Sequence, residues 1–186
     1  DDEGCTNDAG DVNEDGSINI LDIVSVASHV LTGGLEGCGL EAADINGDGS
    51  VNILDIVAIV NLILGGRGVD ATSAEVLKTD DAFFVTANGY IGGIQMTLTH
   101  GSDFSIDLTE DVLWADYSTV GNKTILIVVV PENDEIFSYT GEFEITEMII
   151  ANSTSEVAVN TPTTFGLSAA YPNPFNPSTS ISLHVP

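Results

Sequence analysis

Two twelve-residue stretches, DVNEDGSINILD at 11–22 and DINGDGSVNILD at 44–55, place oxygen-bearing side chains at positions 1, 3, 5, 9 and 12 and a glycine at position 6. In the first stretch these are Asp11, Asn13, Asp15, Asn19 and Asp22, with Gly16 at the turn. In the second they are Asp44, Asn46, Asp48, Asn52 and Asp55, with Gly49. Ser17 and Ser50 hold position 7, where a backbone carbonyl can serve. Alternate inward-pointing oxygens on a short loop are what a hard cation needs, and the pattern is that of a calcium loop. Three carboxylates in so small a space repel one another unless a cation sits between them. Asx-rich turns at helix starts would account for one such stretch. Two in the same register point to two calcium ions.

The elements that position these residues repeat as well. A shift of 33 residues lays Cys5 on Cys38 and Asp11 on Asp44, and 15 of the 29 positions from Cys5 onward are identical to their partners. A helix is expected after each loop and none before it. Ile20, Ile23, Val24, Ala27, Val30 and Leu31 keep the rhythm of one helical face, and Ile53, Ile56, Val57, Val60, Ile63 and Leu64 repeat it. Gly33-Gly34 and Gly65-Gly66 read as the stops. The first helix keeps Ser25, Ser28 and His29 on its outer face, where the second has Ala58, Asn61 and Leu62 and adds Ile59, so the second is apolar nearly all round. Such a helix is buried on more than one side, here against the first helix and against another domain or chain.

Cys5 and Cys38 hold matched places six residues ahead of their loops, which predicts a disulfide worth roughly 3 kcal/mol. The chain has 186 residues, enough for one or two domains, and a formal charge of −26 from 29 acids and 3 bases. Two calcium ions would bring that to about −22. Such a surface repels nucleic acid and anionic lipid, and no apolar run is long enough to span a membrane. The opening Asp1-Asp2-Glu3 reads as a mature product whose leader has been removed.

A duplicated loop-then-helix unit with Asp at position 12 resembles a dockerin, the calcium-binding module of cellulosome-type assemblies, over residues 5–66. The resemblance implies that the oxygen ligands are the residues named above. It also implies a cohesin-type protein partner, although dockerins often carry Ser-Thr at positions 10 and 11 and bases along the helix. Here those positions are Ile20-Leu21 and Ile53-Leu54, and neither helix has a Lys or Arg.

Beyond the stretch Gly65-Gly66-Arg67-Gly68 the period changes from helical to strand-like. AFFVTA and YIGGIQMTLT flank Asn88-Gly89, a hairpin signal. FSIDL, VLWADY, KTILIVVV, GEFEITEMIIA and EVAVN supply further strands, and the apolar run 124–130 belongs at the centre of the stack. The expected fold is α+β and multidomain. A small all-α dockerin-like calcium module (1–66) and a hinge (67–73) precede an antiparallel β-sandwich (74–165), cohesin-like or immunoglobulin-like. An extended Pro-rich tail (166–186) follows. IGGIQMTLTHGSDFSIDL and GEFEITEMIIANSTSEVAV carry the likeness to cohesins. In the tail, YPNPFNPST resembles the opening of the C-terminal sorting domain on cargo of the type IX secretion system, which implies a secreted bacterial protein at the cell surface or beyond. Ile181, Leu183 and Val185 alternate with polar residues there, as in a strand that a sheet edge of another copy could receive.

Catalytic signals are lacking. His29, His100 and His184 sit in no ligand-spaced cluster, Trp114 and Tyr117 read as core or rim aromatics, and no phosphate loop or basic patch occurs. The sequence therefore predicts a non-enzymatic, calcium-stabilised structural protein that self-assembles through module–module contacts or C-terminal strand donation. The alternative is a dockerin-type anchor for a separate cohesin-like receptor.

Overall fold

Helices form where the sequence provides both a periodic apolar face and a cap. In the computed structural model, which describes Cys5 and residues 8–65, 68–160, 166–167 and 183–184, α1 spans Ile20–Thr32 and α3 spans Ile53–Leu64. Each is opened by the loop residue at position 9: the Asn19 side chain accepts from Leu21 N–H and the Asn52 side chain from Leu54 N–H. The Asp at position 12 reaches back to the cap's own N–H, so each start is a capping box. Gly33 and Gly65 close the two helices. A third helix, α2 (Gly37–Ala43), precedes the second loop, where none was expected. It is seven residues long with two glycines, too short to show a period, and the Cys5–Cys38 disulfide ties it to the start of the chain.

The β region holds nine strands in two sheets. They are β1 (Ser73–Lys78), β2 (Ala82–Ala87), β3 (Gly93–His100), β4 (Ser105–Leu108), β5 (Val112–Val120), β6 (Lys123–Pro131), β7 (Glu135–Thr140), β8 (Phe143–Ala151) and β9 (Ala158–Asn160). One sheet runs β4-β7-β2-β1-β9 and the other β5-β6-β3-β8, all antiparallel except β1 with β9. Ile94, Met96, Leu98, Leu126, Val128 and Ile150 from one sheet meet Phe83, Val85, Ile136, Phe137 and Tyr139 from the other, as in a sandwich.

Asn88-Gly89 does not make the expected hairpin, because β2 and β3 lie in different sheets. The Asn88 side chain instead accepts from Thr72 N–H and Ser73 N–H. A Cβ on Gly89 would sit 2.5 Å from Val69 O, so the pair marks a crossover that hugs the backbone of residues 69–71. In the tail, β10 (Gly166–Leu167) pairs antiparallel with β11 (Leu183–His184), Leu167 opposite Leu183. Ile181 and Val185 lie outside the described residues, as do the residues carrying the sorting-domain likeness.

The run 124–130 is central, but between layers rather than within one. Leu126 and Val128 face the opposite sheet, whereas Ile127 and Val129 face α1 and α3. The helices thus cover the outer face of the β5-β6-β3-β8 sheet and share one core with it. This is the second partner that the nearly all-apolar α3 required.

Candidate functional site

The two loops share most of their hydrogen bonds. Asp11 takes Asp15 N–H on one carboxylate oxygen and Gly16 N–H on the other (3.1 and 3.0 Å), and Asp44 takes Asp48 and Gly49 N–H (3.2 and 2.9 Å). Asn13 accepts from Asp15 N–H, and Asn46 from Asp48 N–H. Asp15 accepts from Ser17 N–H, and Asp48 from Ser50 N–H. The amides of Asn19 and Asn52 donate to the carbonyls of Ser17 and Ser50. At position 6 the backbone is left-handed in both loops, φ 84° at Gly16 and 85° at Gly49, which a side chain would strain. The twelve side chains and carbonyls expected to work together are thus gathered into two small loops. Among the described residues no group of three or more His, Cys, Asp or Glu side chains stands as a metal centre by itself.

Asp22 and Asp55 close their loops from inside the fold, both fully buried. Asp22 Oδ1 accepts from Val12 and Asn13 N–H and Oδ2 from Asn19 N–H. Asp55 accepts from Asn46 and Asn52 N–H in the same way but has no counterpart to the Val12 bond, because Ile45 N–H donates to Ala43 O. Burial is the largest influence on the Asp55 carboxyl and raises its pKa. The N–H groups of Asn52 and Asn46 pull it down, and the negative charges of Asp44 and Asp48 push it up again. Cys5 and Cys38 are bonded as expected, with Cα atoms 5.2 Å apart.

The helix–sheet interface is a feature the sequence did not reveal in detail. Ile53 and Val57 of α3 lie on Gly92 and Gly93 at the start of β3. A Cβ on Gly92 would stand 2.5 Å from Val57 Cγ1, and one on Gly93 2.5 Å from Ile53 Cδ1. Only glycine lets backbone and helix approach so closely. Gln95, two residues along β3, accepts on its side-chain oxygen from Ile53 N–H, an orphan donor at the helix start, at 3.1 Å. At the other end the Asn61 amide donates to Ser153 O at 2.6 Å. The β3 sequence thus serves two faces: Ile94, Met96 and Leu98 pack inward on the sandwich, while Gly93 and Gln95 fit α3. Two adjacent glycines ahead of an amide were the available signal, but a partner is needed to interpret them.

Residues 9–64 match the family model described as the dockerin type I domain, so the N-terminal part of the chain is a dockerin-type domain. A domain of this type is a non-catalytic interaction module, and no catalytic role falls to that part. Two solved structures resemble the chain slightly. A non-cellulosomal cohesin from the hyperthermophilic archaeon Archaeoglobus fulgidus is 15% identical, with a TM-score of 0.33 over 51% of this chain and 84% of that one. A cohesin module from a Clostridium perfringens family 33 glycoside hydrolase is 13% identical, with a TM-score of 0.30 over 51% and 95%. Likenesses this slight assign neither a family nor a partner to the β region. No curated protein matches the chain. Among the described residues no single helix is long and apolar enough to cross a membrane.

Proposed function

We propose that the chain is a non-enzymatic structural protein, secreted and stabilised by two calcium ions, that assembles with copies of itself into an extracellular or cell-surface polymer. The observation that carries this reading is the fit of α3 on Gly92, Gly93 and Gln95. That fit fills the sheet face within one chain, which disfavours a foreign receptor there and leaves copy-to-copy contacts to the side chains still in solvent.

Calcium suits the donor set. Each loop offers three carboxylates, two amide oxygens and a backbone carbonyl, all hard oxygen donors. Asp11, Asn13, Asp15, Asn19, Asp22 and the Ser17 carbonyl would hold one ion. Asp44, Asn46, Asp48, Asn52, Asp55 and the Ser50 carbonyl would hold the other. The ion supplies the positive charge that these clustered carboxylates lack, and so fixes the starts of α1 and α3. Burial disfavours the ionised form of Asp55, and a cation held beside it would favour that form.

Size exclusion and negative-stain imaging with and without calcium test the reading: polymers in calcium support it, and monomers throughout contradict it. Deleting residues 171–186 separates the contacts. Polymers that survive the deletion rest on the modules, and polymers that vanish rest on strand donation through Ile181, Leu183 and Val185. A second reading, an anchor for a separate cohesin-type receptor, is favoured by apolar side chains left in solvent on the helices. Ile20 and Leu21 on α1 are 42% and 57% exposed, and Leu62 and Leu64 on α3 are 59% and 41% exposed. Capture of a purified cohesin module by the monomeric chain would support that reading.

A further inference from the structure

We infer that β5 is a pairing edge for a second copy of this chain. The two β5 strands lie antiparallel about a two-fold axis at Tyr117, so that the β5-β6-β3-β8 sheets of two copies run on as one. This rests on the self-assembly reading and names one of its contacts.

The edges of the two sheets are β4, β9, β5 and β8. β4 and β9 have only four and three residues. β8 is covered at one end, where Val157 N–H donates to Ile150 O (2.7 Å) and Ala151 bridges Glu156, and it carries exposed Glu144 and Glu147 further back. β5 has nine residues, and among the described residues its outer side pairs with no strand. In an antiparallel ladder, alternate residues turn N–H and C=O away from the partner strand. Tyr117 is one of these, because its N–H goes to Asp116 Oδ1 (2.8 Å) rather than to β6. Ala115 and Thr119 share its parity and face outward too. Apolar side chains left in solvent lie on the same strand, with Tyr117 41% and Val120 78% exposed. A long edge of unpaired backbone groups is a template for another strand.

The sequence of β5 fits itself. With Tyr117 opposite the partner's Tyr117, Ala115 faces the partner's Thr119, Asp116 the partner's Ser118 and Trp114 the partner's Val120. The outward residues then exchange N–H···O bonds with one another. No like charges meet, since Asp116 is the strand's one acid and faces a hydroxyl that can replace Tyr117 N–H as its donor. Val120 gains the half-buried Trp114, and the two Tyr117 rings meet; such cross-strand pairs stabilise a sheet. Neighbouring registers fit worse. Centring on Asp116 sets two carboxylates face to face in chains of charge −26, and centring on Ser118 sets Asp116 against Val120. A two-fold contact closes on itself as a dimer, so extension into a polymer falls to a further contact.

Amide hydrogen exchange of the full chain, followed by NMR in calcium across a concentration series, reads this edge directly. About 0.15 M salt screens charge repulsion beyond about 8 Å. The N–H groups of Ala115, Tyr117 and Thr119 should gain at least about tenfold protection as the chain is concentrated, while the outer amides of β8 do not. Two variants read the register. Tyr117→Cys should give a disulfide-linked dimer under mild oxidation, because directly opposed Cα atoms stand about 5.5 Å apart. Thr119→Cys, which faces the partner's Ala115, should give it at least about tenfold more slowly. Cys5 and Cys38 are bonded to each other, so the introduced thiol is the one that reacts. Exchange at the three amides that ignores concentration, or equal rates from the two cysteines, overturns the proposal. Larger species in sedimentation with those amides unprotected would refute β5 pairing and leave self-assembly standing, whereas monomers at every concentration would refute both.

Discussion

Replacing Gly93 by Ala adds one methyl at the tightest point between the helices and the sheet. The new Cβ would lie 2.5 Å from Ile53 Cδ1, 2.7 Å from Ile53 Cγ1 and 3.1 Å from Val57 Cγ2. Ile53 is fully buried and Val57 is 1% exposed, so neither side chain has room to turn away. Overpacking of this kind costs about 1–3 kcal/mol, and the lower backbone entropy of Ala in a strand returns about 0.5–1 kcal/mol. The net loss should be about 1–2 kcal/mol, a fall in Tm of about 2–8 °C for a chain of this size. The assay is thermal unfolding in saturating calcium, completed as a double-mutant cycle with Ile53→Ala. That substitution alone should cost about 2–5 kcal/mol. In the Gly93→Ala background it should cost at least about 1 kcal/mol less, because the added methyl then occupies part of the vacated space. An unchanged Tm for Gly93→Ala, with strictly additive effects in the cycle, would refute the close packing of α3 on β3.

Three further outcomes follow from the same geometry. Chelation should lower the Tm and helicity of the chain, and Asp22→Ala or Asp55→Ala should reproduce the loss for one loop; a circular dichroism spectrum unchanged in excess EDTA would count against calcium. Reducing the Cys5–Cys38 bridge, which spans 33 residues of sequence, should cost about 3 kcal/mol in a denaturant titration, and an unmoved midpoint would contradict that. Gln95→Ala leaves Ile53 N–H without its acceptor and should cost about 1 kcal/mol of stability, seen as a shift in urea midpoint with no change in slope.

Local signals in this chain were readable and partner-dependent ones were not. α1 and α3 could be read because periodic apolar residues, an Asn cap and a terminal Gly all agree with one another. α2 escaped because GCGLEAA has neither length nor period and is held by a disulfide and its neighbours. Two strands were also missed: SAEVLK of β1 and EIFSYT of β7 each mix charged or polar residues into a short run. Asn88-Gly89 misled, since the residues that favour a tight hairpin also suit a crossover where two backbones touch. The excess apolarity of α3 did announce a second partner, whereas that of residues 124–130 read only as the centre of the sheet stack. That each is the other's partner became visible only in three dimensions.

Sedimentation velocity across a concentration series tests the central claim most directly, with calcium-saturated chain set beside the Asp22→Ala/Asp55→Ala double variant. Calcium-dependent self-assembly predicts species that grow with concentration for the native sequence and are lost in the variant. A single monomeric boundary at every concentration for the native sequence in calcium would contradict it.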